Sequence, residues 1–321
     1  MKPFRWKKFG LLFDPNGRYP WMQTHAQVPY SILFKNFIRV YFSTREKADS
    51  IGNFRSYSGF VDLDRASPAN ILKISVKPII QLGQLGEFDE FGSMAGSVVK
   101  NTEEEYLLYY CGWQRGFSVP YNWSIGLAKS SDGIQFVKIS KGPLFGSSLA
   151  EPYLQACPIV YRFSKNDWHM YYLSGTNWFM DESGKIEPQY LIMHASSLNG
   201  LDWYRDGQPI IPVLVKNECQ TSSSILKYDG LYHMFFSYRH GSDFRLNKNR
   251  GYRIGYAYSY DLRSWTRNDS MSGIDISESG WDSQMVAYPH VREIDGNIYM
   301  FYCGNNFGES GFGYAVLEKS Q

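Results

Sequence analysis

Along most of this chain, short runs rich in Tyr, Phe, Ile, Val and Met alternate with clusters of Gly, Asp, Asn and Ser. The runs are strand-sized, and several alternate aromatic with aliphatic residues, as buried strands do. The stretch IYMFYC at 298–303 is one such run, and it recurs. Each copy opens with a first strand anchored on one position: HAQVPYSI (anchor Pro29), SMAGSVVK (Ser97), LQACPIVY (Pro158), QTSSSILK (Ser223) and MVAYPHVR (Pro289). The anchors are spaced by 68, 61, 65 and 66 residues. Nine or ten residues after each anchor comes a second strand: IRVYFSTR, YLLYYCGW, WHMYYLSG, YHMFFSYR and IYMFYCGN. A variable loop then leads to a third: SYSGFVDL, SIGLAKSS, YLIMHASS, RIGYAYSY and GFGYAVLE. Copies two to four continue through a turn into a fourth strand, with Asp132-Gly133 and Asn199-Gly200 as turn signals.

Five copies of a four-stranded unit predict an all-β fold, a five-bladed β-propeller with four-stranded antiparallel blades. A β-sandwich does not account for the regular period. The blades fall near 21–75, 88–140, 150–207, 216–268 and 281–317, making residues 1–321 a single domain. The fifth copy stops at its third strand, so the segment 4–13 is expected to supply its fourth and close the ring.

Composition narrows the function. Lys and Arg total 33 and Asp and Glu 31, a net charge of +2, so no basic field for nucleic acid is present. No apolar run approaches the ~20 residues of a membrane span, and the N-terminus lacks the pattern of a signal peptide. Cys111, Cys157, Cys219 and Cys303 sit in strand contexts without metal-type spacing, which with the absent leader suggests a reduced, cytoplasmic protein. The six histidines are scattered, so neither metal nor cofactor is expected. Oligomeric state is not readable.

The blade pattern resembles the five-bladed propeller glycosidases, the superfamily of glycoside hydrolase families 43, 32, 62, 117 and 130. The phrases IGLAKSSDGIQF and RIGYAYSYDLRSW, and the ending GNNFGESGFGYA, are similar to glycosidase-like proteins of bacterial surface-polysaccharide gene clusters. The resemblance implies an active site at the mouth of a central funnel lined by the first strands. Seven residues before the anchors stand Met22, Glu90, Glu151, Lys216 and Asp282. Carboxylates converging there would suit glycoside hydrolysis, one donating a proton and another activating water or attacking the anomeric carbon. By its resemblance to the family 43 acid, Glu151 in AEPYLQACP is the candidate general acid. Glu90, with Asp89 competing, matches the region of a pKa-tuning aspartate, and Asp282 is either a third carboxylate of the site or a turn cap. The aspartate that families 43 and 32 place on the first blade is missing. His25 can replace it as base or donor, and Gln27 can only hydrogen-bond.

Around these stand candidate substrate-binding residues. Trp113 and Trp178 end second strands and can stack on a pyranose or pack between blades. Arg45 and Arg239 end second strands of blades one and four. Asn305 and Asn306 hold the matching place in blade five, Glu218 stands five before the fourth anchor, and Tyr288 flanks the fifth anchor. Two arginines exceed what a neutral sugar needs and suit a carboxylate, sulfate or phosphate, unless they pair with the nearby carboxylates. The expected function is thus a glycoside hydrolase-like enzyme acting on a carbohydrate or activated sugar, with a role in polysaccharide biosynthesis. The alternatives are a glycoside phosphorylase and a non-catalytic propeller that binds a glycan or a protein.

Overall fold

The apolar runs form strands, and their burial grades with position in each repeat. In the computed structural model, which describes residues 2–319, β1 (Trp6–Phe13) is followed by β2 (Thr24–Leu33), β3 (Phe37–Arg45), β4 (Ser56–Asp64) and β5 (Ile71–Ile74). Next come β6 (Gly92–Thr102), β7 (Glu105–Arg115), β8 (Tyr121–Ser130) and β9 (Val137–Lys138), then β10 (Gln155–Ser164), β11 (Asp167–Met180), β12 (Ile186–Ser197) and β13 (Trp203–Pro209). The chain continues through β14 (Cys219–Tyr228), β15 (Leu231–Arg239), β16 (Arg253–Ser259) and β17 (Thr266–Arg267) to β18 (Ala287–Ile294), β19 (Asn297–Cys303) and β20 (Phe312–Leu317). Each set of four is an antiparallel meander, and β18–β20 take β1 as their fourth strand, with Trp6 opposite Leu317 and Phe13 opposite Phe312. The first two sheets touch through one parallel bridge, Ser56 to Gly92.

Inner strands are buried on both faces; β3 is covered from Ile38 to Thr44, whereas the outer strands β1 and β13 alternate half-buried with exposed. A strand covered on both sides needs neighbouring sheets against each face. The contacts supply them, since β2 touches β6, β6 touches β10, β10 touches β14, β14 touches β18, and β18 touches β2.

Adjacent sheets are latched by a repeated hydrogen bond. Tyr41, Tyr109 and Tyr171 hold the same place in their second strands, and their hydroxyls donate to the carbonyls of Gly133 (2.7 Å), Gly200 (2.8 Å) and Leu262 (2.8 Å) in the next sheet. The first two carbonyls lie in the turns that Asp-Gly and Asn-Gly mark, and the third in the matching turn at Asp261-Leu262. In each turn a serine hydroxyl (Ser130, Ser197, Ser259) accepts the backbone N–H at the acceptor position. In the fourth sheet the place is held by Phe235, which packs on Phe4 and Trp6 instead.

Candidate functional site

Strict alternation breaks at one position in all five first strands. Pairing with the second strand slips between Gln27 and Tyr30, Ala95 and Ser97, Ala156 and Ile159, Thr221 and Ser224, and Ala287 and His290. Each slip is a bulge at the residue before the anchor. Val28, Cys157, Ser222 and Tyr288 adopt positive φ there, between 49° and 56°. Non-glycine residues in this region cost about 1–3 kcal/mol each, more readily tolerated at sites than elsewhere. The second sheet uses Gly96, where a Cβ would come within 2.5 Å of the Pro158 carbonyl oxygen. The bulges turn Val28, Cys157 and Tyr288 toward a cavity of about 310 Å³ at the ends of the first and second strands. Alternation alone would put Tyr288 and His290 on one side; instead Tyr288 lines the cavity, and His290 is buried against Ser31 of the first sheet, Nε2 to Oγ 2.9 Å.

Five of the expected residues, Gln27, Arg45, Trp113, Arg239 and Tyr288, line this cavity together. With them are aromatic groups that sequence reasoning passed over. Tyr121 and Trp123 stack with centroids 4.6 Å apart. The hydroxyls of Tyr190 and Tyr252 lie 2.6 Å apart, and Arg239 Nη2 donates to Tyr190 at 3.1 Å. Trp123 and Tyr190 lie in third strands opposite Trp113 and Gly175 of the second, and Tyr252 just before β16, a recurrence present in the sequence but hidden by the variable loops that precede it.

The arginines are held unusually. Arg239 is 3% exposed, lies 3.5 Å above the Phe244 ring, and donates to the carbonyls of His240 and Gly241. Arg45 lies 4.4 Å from the Phe54 centroid and donates to the neutral Gln27 Oε1 at 3.2 Å. The Nε of each is buried without a partner. Neither forms an ion pair among the described residues; a third lining arginine, Arg245, pairs with Glu187. Burial, with Arg245 nearby, pulls the Arg45 guanidinium down to about 10. Cation–π contacts return about 0.5–2 kcal/mol, less than the several kcal/mol that desolvating a cation costs. Burial also holds the Tyr190 and Tyr288 phenols well above their usual range, so they remain hydrogen-bond donors.

The expected carboxylates do not join this cavity, whose lining includes no Asp, Glu or His among the described residues. They are used within individual sheets. Asp89 accepts from Tyr110 Oη (2.9 Å) and pairs with Lys138 (2.6 Å). Glu151 accepts from Tyr172 Oη (2.9 Å) beside Arg205 Nε (3.7 Å). Asp282 accepts from Tyr302 Oη (2.9 Å) and pairs with Lys8 (2.7 Å). The tyrosines are equivalent second-strand residues, and the cations come from the fourth strand of the same sheet. In the fourth sheet Glu218 pairs with Arg267 (2.6 Å), whose guanidinium lies 5.1 Å from the centroid of Phe236, the residue at the tyrosine's place. In the first sheet Met22 and Phe42, both fully buried, form an apolar version. Glu151 and Asp282, seven before their anchors, thus each join a second-strand tyrosine to a fourth-strand cation, and Glu218, five before its anchor, pairs with its own sheet's fourth-strand cation. Asp89, not Glu90, holds the second-sheet position. Glu90 lines a separate surface cleft and accepts the Gly86 N–H at 2.9 Å.

His25 is also apart from the cavity lining. It is buried beside Thr24 Oγ1 (2.8 Å), and desolvation, then Arg45, lower it to about 3, too weak a base for proton transfer near neutrality. Trp178 packs edge-on to Tyr121, with centroids 5.5 Å apart, and is not part of the lining. Asn305 ties a loop, accepting from Gln284 N (2.7 Å) and donating to Gly280 O (3.0 Å). Asn306 is exposed and bonds Glu309, while Phe307 beside it reaches the cavity. Among the described residues no His, Cys, Asp and Glu cluster could hold a metal, and no helix is long and apolar enough to cross a membrane.

No protein-family model matches the chain. Solved structures do match over nearly its whole length. BT0996, in a complex with RGII, is 18% identical, covering 99% of this chain and 93% of the other, at TM-score 0.75. A structure from work on the GH130 family of mannoside phosphorylases, which contains hydrolases of β-1,2 mannosidic linkages in Candida mannan, is 15% identical over 98% and 94%, at TM-score 0.70. A thermostable family-43 glycoside hydrolase aligns at TM-score 0.60 with 14% identity over 94% and 90%. These likenesses give the chain the propeller-type fold of the glycoside hydrolases. In sequence it is 33% identical, over 316 residues covering 98% of the chain and 99% of the relative, to the uncharacterized proteins Rv1502 and MT1551 of two Mycobacterium tuberculosis strains. The chain belongs to the family of these mycobacterial proteins.

Proposed function

We propose that the five sheets are blades of one five-bladed propeller spanning the chain and closed by the N-terminal strand, and that the protein is a carbohydrate-active member of the glycosidase-type propellers. Its sugar enters the cavity at the first-strand bulges. The observation that carries this is the lining itself, which combines aromatic faces (Trp113, Trp123, Tyr121) with convergent donors (Gln27, Arg45, Arg239, Tyr288). Aromatic faces cover the C–H side of a pyranose while fixed donors read its oxygens. The cavity's volume suits one or two sugar residues rather than a long chain. Substrate contact is assigned to those seven residues.

The chemistry differs from the expected pair of carboxylates. With Glu151 and Asp282 engaged inside their sheets, hydrolysis by two enzyme carboxylates lacks support at this cavity. A second reading, phosphorolysis, is favoured by the arginines and by the similarity to the GH130 structure. There an oxygen of dihydrogen phosphate would bond the anomeric carbon as the glycosidic C–O bond breaks, and the departing oxygen would take that phosphate's proton. The test is titration of mono- and oligosaccharides followed by tryptophan fluorescence and calorimetry, with Trp113→Ala and Trp123→Ala alongside. At least tenfold weaker binding in both variants is expected; unchanged affinity in both would remove the cavity as the sugar site.

A further inference from the structure

The lining carries a charge that the protein leaves unbalanced. Arg45 comes from β3 and Arg239 from β15, in sheets separated along the chain, yet both face one cavity. Arg239 is buried and Arg45 half-buried, each with a buried Nε, and three features set them apart from Arg39 and Arg267. Arg39 is held by Asp62 in a two-bond fork, and Arg267 by Glu218 and Asp269. Arg239 and Arg45 have only neutral partners: backbone carbonyls, a phenol and an amide. Each keeps a buried Nε with no acceptor. No acid reaches the lining among the described residues, Tyr190 and Tyr288 carry protonated phenols, and the rest, Arg245 with its Glu187 partner apart, is aromatic, aliphatic or neutral polar.

Buried cations in proteins are paired or meet an anion that binds. From this juxtaposition we infer that the ligand of the cavity is a negatively charged sugar, whose oxyanion (the carboxylate of a sugar acid or a phosphate ester) is gripped by Arg45 and Arg239. The inference rests on the cavity being the sugar site, and it deepens that reading by naming the charge of the substrate. Gln27 orients Arg45, and Phe244, with Arg239 at 3.5 Å and Arg245 at 4.2 Å from its centroid, stiffens the other side. A planar guanidinium suits the two oxygens of either anion, whereas a neutral sugar offers only hydroxyls and leaves both charges uncovered.

Cys157 supplies a local reporter. It lines the cavity and is half-buried, while Cys111, Cys219 and Cys303 are buried. Its alkylation by iodoacetamide would be followed by mass spectrometry in the full-length protein with glucuronate, galacturonate, glucose 1-phosphate, inorganic phosphate or neutral glucose and galactose. Chloride would hold ionic strength equal, and calorimetry would give affinities. A charged sugar is expected to slow labelling at least fivefold and to bind at least tenfold more tightly than its neutral counterpart. Arg45→Met and Arg239→Lys should abolish the preference, the second keeping a cation if the first fails to fold. Uronate but not phosphate protection assigns a carboxylate, and the converse a phosphate. Phosphate protection without binding of any sugar would keep the anion site and discard the sugar site. Equal protection by neutral and charged sugars, unchanged in Arg45→Met and Arg239→Lys, would overturn the anion while leaving the sugar site intact; no protection by any anion would also overturn it.

Discussion

Replacing Glu151 by glutamine separates the two roles that its position suggests. Its carboxylate is 2% exposed, takes the Tyr172 hydroxyl at 2.9 Å and faces Arg205 at 3.7 Å, while Oε2 has no partner. Glutamine preserves the shape. The Tyr172 bond then changes from charge-assisted to neutral, a loss of about 1 kcal/mol. The amide group that replaces the orphan Oε2 is a buried donor without an acceptor, costing about another 1 kcal/mol. Arg205 is partly open to water and keeps its place 4.6 Å from the Phe145 centroid, so its release adds less than about 0.5 kcal/mol. The expected destabilisation is about 2 kcal/mol, near 3 °C in Tm for a chain of this length. Glu151→Ala, which also strands the Tyr172 hydroxyl and opens a cavity, should lose about 3–4 kcal/mol. Denaturant unfolding and calorimetric melting measure both, alongside sugar affinity and turnover of activated glycosides. A fastening role requires Glu151→Gln to lower stability and leave ligand affinity within twofold. An unchanged Tm with lost turnover would refute the argument and return Glu151 to the chemistry.

Other outcomes follow from the same structure. Lys8→Met leaves the Asp282 carboxylate with Tyr302 alone and should cost about 2–3 kcal/mol, while adding Asp282→Asn should recover at least about 1 kcal/mol in a double-mutant cycle by urea unfolding. His25 and His290 are both pushed down to about 3, chiefly by burial, so their neutral forms stabilise the fold fully above the unfolded value of 6.5 and progressively less as pH falls toward 3. Between pH 7.5 and 5 each should remove about 2 kcal/mol, and His290→Gln should flatten the melting profile across that range; an unchanged slope would argue against its burial as neutral imidazole. Val28→Gly relieves a β-branched residue at φ 52° and should cost less than about 1 kcal/mol in a thermal melt, whereas Val61→Gly, at a fully buried position of β4, should cost more than about 3 kcal/mol.

Strand order and turn chemistry were legible because both are local. The 61- to 68-residue spacing, the Asp-Gly and Asn-Gly turns and the aromatic second strands each reappear where the sequence puts them. The pairing of β1 with β20 also follows from counting, since one repeat lacks a strand and one segment lacks a sheet. The site was harder to read because alternation assumes an unbroken strand, and the bulges before Pro29, Pro158, Ser223 and Pro289 shift the side chains that follow. In sequence, a carboxylate repeated in register looks the same as carboxylates converging on a site. Glu151 and Asp282 each join a second-strand tyrosine to a fourth-strand cation. The proposed site instead takes residues that vary between repeats, Arg45, Arg239, Tyr288 and Trp123, the last hidden behind a loop of irregular length.

The pairing of the first strand with the last has a temporal side. On a ribosome, residues 6–13 emerge well before their partners, 312–317, which follow almost three hundred residues later. The intervening four sheets are built from neighbouring hairpins and can assemble as they are made. Meanwhile the first strand carries Trp6 and Phe13 exposed to any competing edge, and Lys8 cannot yet neutralise Asp282. Completion of the fifth sheet is therefore a checkpoint that only a chain extended through residues 312–317 can pass. A nascent chain halted before residue 312 should keep residues 6–13 open to protease, and release of the last strand should close that window in one step.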